Sequence, residues 1–268
     1  IPNLFSLVMV TPSSPTSSAI AWDREGASVP APEPWGCKGA FTTIRVEGVT
    51  PYPLFLNAHL DRLEKSARLL EVVPIVSQPQ IRERITIFLS STQIPTPFLI
   101  RACLLENRLA LYARPAHPTG PELSAKILRH LRPVPEAKST FDNELYGRLG
   151  ELDLGLEDFL IVHPADGRVL ESATCNLIFA QGDNLVIPKE DILSGIVLNK
   201  LLASMNGFEI DRRSPRLDEL SAFAEIILCG SGREVASLAT IPEIGWQRSS
   251  EKTFLKLRKT YETVKTRA

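Results

Sequence analysis

The hydrophobic pattern of the first half of the chain alternates between strand-like and helix-like stretches. Residues 41–46 are rich in β-branched and aromatic types, Glu47-Gly48 forms a turn, and residues 52–55 read as the hairpin partner. Asn57 is predicted to cap the helix that follows. The apolar stripe of this helix, with spacings of three and four residues, consists of Leu60, Leu63, Ala67 and Leu70.

A second helix and a second hairpin complete this half. Pro79 suits the first turn of the helix, because an N–H at that position would have no intrahelical partner. Residues 98–104 and 109–113 are predicted to pair across a tight turn at Glu106-Asn107. The inward positions of the helix are Ile81, Ile85, Phe88 and Leu89.

Prolines mark the organisation of the chain. Three prolines and a glycine cluster before its midpoint and stop the pattern, which restarts afterwards. We therefore predict a small N-terminal domain over residues 1–116, a linker over 117–123 and a larger C-terminal domain over 124–268. Prolines and serines are also frequent in residues 1–38, which are predicted to be an irregular arm apart from a short strand near residues 19–22.

The second half mixes both element types again, which predicts an α+β or α/β fold. We expect a helix over residues 143–152, strands over 158–163, 175–180, 185–187 and 224–229, a helix from 194 to 206, and a terminal helix over 252–265.

Composition limits the possible partners. The chain of 268 residues is 44% hydrophobic, and its formal charge of −1 arises from 30 basic and 31 acidic residues, so neither nucleic acid nor a membrane is expected as a partner. No apolar run reaches the ~18 residues of a membrane span, and Ile1–Val10 lacks the basic leading region of a secretory signal. The cysteines form no C-x-x-C pair, so we expect no metal site, no disulfide framework and a cytoplasmic location.

Two glycine-containing segments are candidate anion sites. Ser194-Gly195-Ile196-Val197 opens a helix and Gly230-Ser231-Gly232 follows a buried strand, so both expose unpaired backbone N–H groups. Glycines at such places are more often ordinary turns. Arg62 lies beside the apolar stripe of its helix, in line with His59 and Ser66, and on its own it would be interpreted as a solvated arginine.

Lys138 and Glu171 flank a stretch that reads helix, strand, turn, strand. An amine that can bond to an aldehyde, followed by a carboxylate that leads into a buried strand, is what a pyridoxal phosphate (PLP) enzyme needs to hold its cofactor at both ends. For isolated residues, an exposed lysine and a surface glutamate are the commoner explanation. The segments around them favour the cofactor.

Ordered motifs around these residues resemble the class IV aminotransferases, also called fold-type IV PLP enzymes, from about Gly39 to about Ile241. The first matching segment, Gly39-Ala40-Phe41-Thr42-Thr43-Ile44-Arg45, is similar to the family's G-x-F-[E/T]-T-x-R strand. The second, His59-Leu60-x-Arg62-Leu63-x-x-Ser66-Ala67, is similar to the family's H-[LI]-x-R-L-x-x-[SA] helix. The third, Glu171-Ser172-Ala173-Thr174-Cys175-Asn176-Leu177-Ile178-Phe179, is similar to the family segment that carries a glutamate and an asparagine.

The resemblance implies roles for these residues. Lys138 would bond to the PLP aldehyde and, once released, move the proton on the adjacent substrate carbon. Glu171 would keep the pyridine nitrogen protonated. The implied fold has a small N-terminal α/β domain and a larger C-terminal domain with a β-barrel-like sheet, and the implied assembly is a homodimer. The implied phosphate contacts are Arg62, Gly195, Ile196, Val197, Gly230 and Ser231.

The chain departs from the family pattern near the phosphate. Leu198 stands where the family usually has arginine, Ser194 where it has proline, and Gly230-Ser231-Gly232 where it has G-T-A. Ser231 keeps a hydroxyl, so its contact with the phosphate can survive. The short strand pair around residues 105–109 indicates a reduced substrate loop.

Three functions are consistent with the sequence. The preferred one is a lyase of folate biosynthesis that converts 4-amino-4-deoxychorismate to 4-aminobenzoate and pyruvate by imine formation, proton abstraction and elimination. The threonines after Phe41 and the lysine-to-glutamate spacing favour it. The alternative is an aminotransferase for branched-chain or D-amino acids. A non-catalytic binding protein is disfavoured, since it would have no use for Lys138.

Both enzymes would take a small amino compound as substrate. Thr43 and Arg45 share one face of their strand, because side chains alternate between the two faces. If that face looks into the site, they would supply a hydroxyl and a cation for a dicarboxylate. The candidate substrate contacts are therefore Thr43, Arg45 and Gly232.

Overall fold

The computed structural model describes residues 18–116 and 118–267. The interpretation of Ile1–Val10 and the start of the predicted arm lie outside these residues, as does the first residue of the predicted linker. Within this part of the chain, three β-sheets and five α-helices form a mixed α/β fold, which confirms the predicted fold class.

The first half forms one antiparallel sheet with two helices packed against it. The strands, in spatial order, are β2 (Ser28–Val29), β1 (Ser18–Trp22), β6 (Arg108–Pro115), β5 (Phe98–Leu105), β3 (Gly39–Glu47) and β4 (Tyr52–Pro53). The helices are α1 (Leu56–Leu69) and α2 (Gln78–Ser91). Their inward residues share one core cluster with one face of β3, including Leu60, Leu63, Ile81, Ile85 and Ile44.

Most local predictions for this half are confirmed. The strands β5 and β6 pair across the turn at Glu106-Asn107, and Pro79 lies in the first turn of α2. The strand expected near residues 19–22 is β1, which pairs with β6 over its whole length, so this part of the predicted irregular arm belongs to the sheet. The cap prediction is wrong: Phe55, in a left-handed conformation, precedes α1, and Asn57 lies inside the helix.

The second half, for which a β-barrel-like sheet was expected, contains two five-stranded sheets. One sheet has the order β16 (Trp246–Gln247), β15 (Thr240–Ile241), β7 (Ser124–Arg129), β8 (Glu157–Val162) and β9 (Val169–Ser172). The other has the order β12 (Glu209–Asp211), β11 (Asn184–Val186), β10 (Asn176–Gln181), β13 (Glu225–Gly230) and β14 (Glu234–Ser237). The helices are α3 (Asn143–Tyr146), α4 (Ile196–Leu202) and α5 (Lys252–Lys265).

Two predicted helices of this half are shorter than expected. The helix over residues 143–152 is divided into α3 and a 3-10 helix over Gly147–Glu151, because glycine has a low helix propensity and two glycines lie there. The helix that opens at Gly195 ends at Leu202. The terminal helix has the predicted bounds.

In the part of the chain that the structure covers, no helix is both long and apolar enough to span a membrane.

The Lys138 segment is attached to β3, and this attachment positions the site. The backbone N–H of Phe41 donates to the carbonyl of Lys138 at 2.9 Å, and the N–H of Thr140 donates to the carbonyl of Gly39 at 2.9 Å. Phe41 belongs to a second core cluster, on the face of β3 opposite the two helices, together with residues of the second half. The site therefore forms where the two halves of the chain meet.

Candidate active site

One cavity between the two halves gathers nearly all of the residues that the sequence singles out. Its wall includes residues of β3, β5 and α1 from the first half, and the starts of α4 and β10 from the second. The predicted residues that line it are Thr43, Arg62, Lys138, Glu171, Gly195, Ile196, Val197, Gly230, Ser231 and Gly232.

Arg45 is the predicted residue that does not line this cavity. Its buried guanidinium pairs with Glu47 at 2.7 Å and with Glu234 at 3.1 Å, and it donates to the carbonyl of Gly232 at 3.3 Å. Its charge is thus balanced behind the loop that contains Gly232. In the described chain this cation is paired with Glu47 and Glu234 outside the cavity, and a substrate role for Arg45 stays a prediction.

Lys138 is held by its backbone on one side and by aromatic rings on the other. Its backbone N–H donates to Ser66 Oγ at 3.1 Å. Its amine lies 3.3 Å from Tyr146 Oη and 4.7 Å from the centre of the Phe41 ring. These contacts direct the amine into the cavity, where a ligand can reach it.

The neighbours of Lys138 make its amine a better nucleophile. Burial lowers the pKa of Lys138 to about 7, the nearby Arg62 and Arg132 cations act in the same direction, and Glu171 partly opposes them. A lysine with this pKa is about half uncharged at pH 7 and largely uncharged at mildly alkaline pH. The uncharged amine is the form that attacks a carbonyl group.

Glu171 is fixed by an arginine that the sequence gave no reason to select. Arg132, which is buried, donates to Glu171 Oε1 and to the carbonyl of Ala137 at 3.0 Å. The backbone N–H of Leu193 donates to the other carboxylate oxygen at 3.3 Å. Burial raises the pKa of Glu171, and the Arg132 and Lys138 cations oppose this rise. The carboxylate is therefore held in one orientation at the base of the cavity.

Arg62 has a donor that no described residue satisfies. Its Nη2 donates to Thr42 Oγ1 at 2.9 Å, but its Nε is buried and has no acceptor within residues 18–116 and 118–267. Burial lowers the pKa of Arg62 to about 10, which leaves it a cation at neutral pH. A buried donor without a partner costs free energy, so this position favours an anionic ligand such as a phosphate.

Glycine is required on both loops that approach Arg62. A Cβ atom at Gly195 would lie 1.6 Å from Asn176 Oδ1, and one at Gly230 would lie 2.7 Å from Cys175 Sγ. The first amides of α4, at Ile196 and Val197, have no acceptor inside the helix. The two loops therefore place backbone N–H groups at the wall of the cavity, and their contact with a ligand stays a prediction.

The cavity wall contains further residues that sequence reasoning missed. Arg101 lies on β5 with its guanidinium 4.3 Å from the centre of the Trp35 ring, and its Nε is buried without an acceptor in the described chain. Arg114 on β6 also lines the cavity. Alternation along these strands was the available signal. The apolar part of the wall includes Leu99, Leu145, Leu149 and Leu154.

The sequence matches the model of the family Amino-transferase class IV over residues 39–241, which is more than half of the chain. The protein belongs to this family of PLP-dependent enzymes. The recognition of the family, the prediction of an enzyme and the prediction of PLP as its cofactor are confirmed. The match does not distinguish the lyase branch.

The fold is similar to those of solved aminotransferases. A hypothetical aminotransferase from Mycobacterium tuberculosis, in its PLP-bound form, has 20% sequence identity and a TM-score of 0.72, with 93% of this chain and 99% of that chain covered. The branched-chain aminotransferase from Thermoproteus uzoniensis with norvaline has 19% identity and a TM-score of 0.76, with 91% and 93% covered. No curated protein sequence matches the chain. At these identities the likeness concerns the fold.

Proposed function

We propose that the protein is an aminotransferase that moves the amino group of a small amino acid to a 2-keto acid. The observation that carries the proposal is the cavity in which Lys138, with a pKa lowered to about 7, lies among Glu171 and the partly unpartnered Arg62. These are an amine, a carboxylate and a phosphate-binding cation in one site. The structural relatives named as aminotransferases support this reading over the lyase.

The residues of the cavity suit PLP. Arg62, the Ser231 hydroxyl and the first amides of α4 would hold the phosphate, and Glu171 would hold the pyridine nitrogen. When bound, PLP supplies an aldehyde that bonds to amines and a ring that withdraws electrons from the neighbouring carbon.

The chain itself supplies the proton transfer. The Lys138 amine, mostly uncharged above pH of about 7, would take a proton from the substrate carbon and deliver it to the aldehyde-derived carbon of the cofactor. Tyr146 Oη, 3.3 Å away, restricts the position of the amine between these two events. Arg132 keeps Glu171 in place throughout.

The substrate wall combines cations with apolar groups. Arg101 and Arg114 add positive charge beyond what PLP requires, while the wall carries Glu171 as its acidic residue. A second carboxylate on a substrate would be attracted to these arginines. The leucine side chains suit an aliphatic amino acid. One cavity can thus serve an aliphatic donor and a dicarboxylate acceptor in turn, which an aminotransferase needs.

A lyase acting on 4-amino-4-deoxychorismate is the second candidate. Its support is the same pair of arginines, which also suits the two carboxylates of that compound. The threonine argument for the lyase is weakened. Thr42 is engaged with Arg62 and His59, so of the two threonines after Phe41, Thr43 lines the cavity.

The cofactor form after one half-reaction separates the two candidates. Holoenzyme mixed with an amino acid and no keto acid should convert to the pyridoxamine form, seen by absorbance, and then stop until 2-oxoglutarate is added. The Lys138→Ala protein is the control and should not convert. Continuous release of 4-aminobenzoate and pyruvate from 4-amino-4-deoxychorismate without a keto acid, and no conversion by amino acids, would establish the lyase instead.

The proposal includes the homodimer that the family resemblance implies. Phe141, three residues after Lys138, is 65% exposed, and a partner subunit that packs beside the site would cover it. Sedimentation equilibrium should give twice the chain mass of 29.6 kDa. A single-chain mass at micromolar concentration would contradict the dimer.

The cytoplasmic location stays a prediction from cysteine usage.

A further inference from the structure

A row of polar side chains runs from Arg62 to Ser231 through two buried residues to which no role has been assigned so far. Arg62 Nη2 lies 2.9 Å from Thr42 Oγ1, and Thr42 Oγ1 lies 2.8 Å from His59 Nδ1. On the other side of the imidazole ring, His59 Nε2 lies 3.4 Å from Ser231 Oγ. Thr42 and His59 are fully buried and do not touch bulk solvent.

The direction of the first bonds follows from the Arg62 guanidinium. A guanidinium only donates, so Thr42 Oγ1 is an acceptor towards Arg62. The hydroxyl then has one proton to donate. Among the described residues, the remaining neighbour of Thr42 Oγ1 within hydrogen-bonding distance is His59 Nδ1. A buried hydroxyl proton without an acceptor would cost free energy. The proton therefore points to His59 Nδ1, which must be unprotonated.

The ring of His59 carries a single proton. Burial lowers the pKa of His59 well below its usual value, and the Arg62 and Lys138 cations act in the same direction. A neutral imidazole has one donor nitrogen and one acceptor nitrogen. Since Nδ1 accepts from Thr42, the proton lies on Nε2, which faces Ser231.

The same count of donors and acceptors determines the direction of the Ser231 hydroxyl proton. Because His59 Nε2 donates to it, Ser231 Oγ is an acceptor on that side, and its own proton is free to be donated. Ser231 lines the cavity near Arg62. A hydroxyl that is held as an acceptor from behind is a preoriented donor towards the cavity.

We propose that His59 is a positioning residue, neutral and protonated at Nε2, which turns the Ser231 hydroxyl proton towards the cofactor phosphate. The row Arg62, Thr42, His59 and Ser231 then presents two donors, from its two ends, to one phosphate. The proposal rests on the phosphate site described above. It differs from a packing role, which would leave the tautomer of His59 undetermined.

The first test reads the tautomer without any cofactor. Nitrogen-15 NMR of histidine-labelled apo protein distinguishes a protonated from an unprotonated ring nitrogen. The signal that disappears in His59→Gln, or that moves in Ser231→Ala if the first variant does not fold, belongs to His59. We expect a neutral ring with its proton on Nε2 from pH 6 to pH 8, a range that spans the ordinary histidine pKa of about 6.5. A cationic ring or a proton on Nδ1 would overturn the proposal.

The second test measures coupling through cofactor affinity. Ser231→Ala and His59→Leu should each weaken PLP binding by about tenfold, the effect of one charge-assisted hydrogen bond. The double variant should be hardly weaker than either single variant, because both changes remove the same bond. Additive losses would overturn the proposal.

Pyridoxal, which lacks the phosphate, separates positioning from a general defect of the site. His59→Leu should leave pyridoxal binding to the apo protein within about twofold of the parent while PLP binding falls. His59→Gln, whose amide can donate from a place near that of Nε2, should recover part of the PLP affinity. Equal losses for both ligands would assign His59 a structural role. If the parent itself prefers neither ligand, the phosphate site fails, and the NMR result still decides the tautomer.

Discussion

Lys138 and Glu171 have altered properties because of the residues around them. Burial and two arginines lower the pKa of the lysine to about 7, while Arg132 holds the glutamate by a charge-assisted bond. Neither effect is a property of the residue type. Both arise because the fold brings Lys138, Arg62, Arg132 and Glu171 together in one cavity between distant segments of the chain.

The ionisation of Lys138 can be measured by its reaction with pyridoxal. The phosphate-free aldehyde avoids the second phosphate pKa of about 6. The rate constant for the apo protein should rise with pH, because the uncharged amine reacts, and level off above pH of about 7.5. A rate constant that keeps rising to pH 10 would show an ordinary lysine.

The same shift has a consequence for the stability of the apo protein. The pKa of Lys138 is lowered from 10.5 in the unfolded chain to about 7, so between these values the unfolded chain binds the extra proton. Lys138 therefore destabilises the fold most below pH 7, and the free energy of unfolding should rise from pH 7 to pH 10 relative to Lys138→Met. Parallel pH profiles of the two proteins, in urea denaturation, would contradict this.

The Arg132–Glu171 pair should show strong coupling in unfolding. Arg132→Met leaves a buried carboxylate without its cation, which typically costs about 3–5 kcal/mol. Glu171→Gln in the same protein should restore part of the loss, because the uncharged amide needs no counter-ion. Urea denaturation of the apo proteins measures the loss of unfolding free energy in the single variant and its partial recovery in the double variant. Additive effects would show that the two side chains do not depend on each other.

At the scale of elements, the strand β3 supports the loop between β13 and β14. Glu234, the first residue of β14, has a φ of 60°, which is unfavourable for a residue with a side chain. Arg45 at 3.1 Å and Lys265 at 2.9 Å hold its carboxylate. Arg45 also binds the Gly232 carbonyl. Arg45 therefore stabilises a cavity loop from behind.

Loss of this support should appear in hydrogen exchange. Arg45→Met removes the ion pairs and the bond to Gly232, so amides of residues 230–235 should exchange about tenfold faster in the apo protein. Arg248→Met, which breaks a pair with the half-exposed Glu251, is the matched control and should leave this loop unchanged. Equal exchange in Arg45→Met and the parent would assign no such role to Arg45.

The start of α4 should tolerate no side chain at Gly195. An added methyl group would clash with Asn176 Oδ1. The side-chain amide of Asn176 is itself held by a 2.8 Å hydrogen bond to the Leu193 carbonyl, so either the asparagine or the start of the helix must move. We expect Gly195→Ala to cost about 1–3 kcal/mol in stability and to weaken PLP binding. Gly150→Ala, where nothing lies within 4 Å, is the control. Unchanged PLP affinity in Gly195→Ala would contradict the close approach.

At the scale of the whole molecule, the sequence predicted the elements better than their meeting points. Hydrophobic periodicity was sufficient for α1, α2 and the β5–β6 hairpin, because it records which side of each element is buried. Arg101, Arg114 and Arg132 look like solvated arginines in the sequence. Strand alternation gives the face of Arg101 and Arg114 but not the cavity that this face lines. The contact of Arg132 with Glu171 joins distant segments, and no local pattern encodes it.

Arg45 shows the limit of strand alternation as a guide to a site. Strand alternation correctly places Thr43 and Arg45 on one face of β3, but the face extends beyond the cavity. Thr43 lines the cavity, whereas Arg45 reaches the ion pairs behind it. A shared face is therefore weaker evidence for a shared site than a resemblance that matches several ordered motifs. The residues that the resemblance selected, Arg62, Lys138 and Glu171, line one cavity.

The position of the covalent link to PLP tests the account most directly. Borohydride treatment of the holoenzyme, followed by digestion and mass spectrometry, should locate a phosphopyridoxyl group on Lys138 and on no other lysine, and the visible absorption of the cofactor should disappear. The Lys138→Ala protein should bind PLP without becoming labelled. A label on another lysine of the parent, or a Lys138→Ala protein that is still labelled stoichiometrically, would contradict the assignment of the active site.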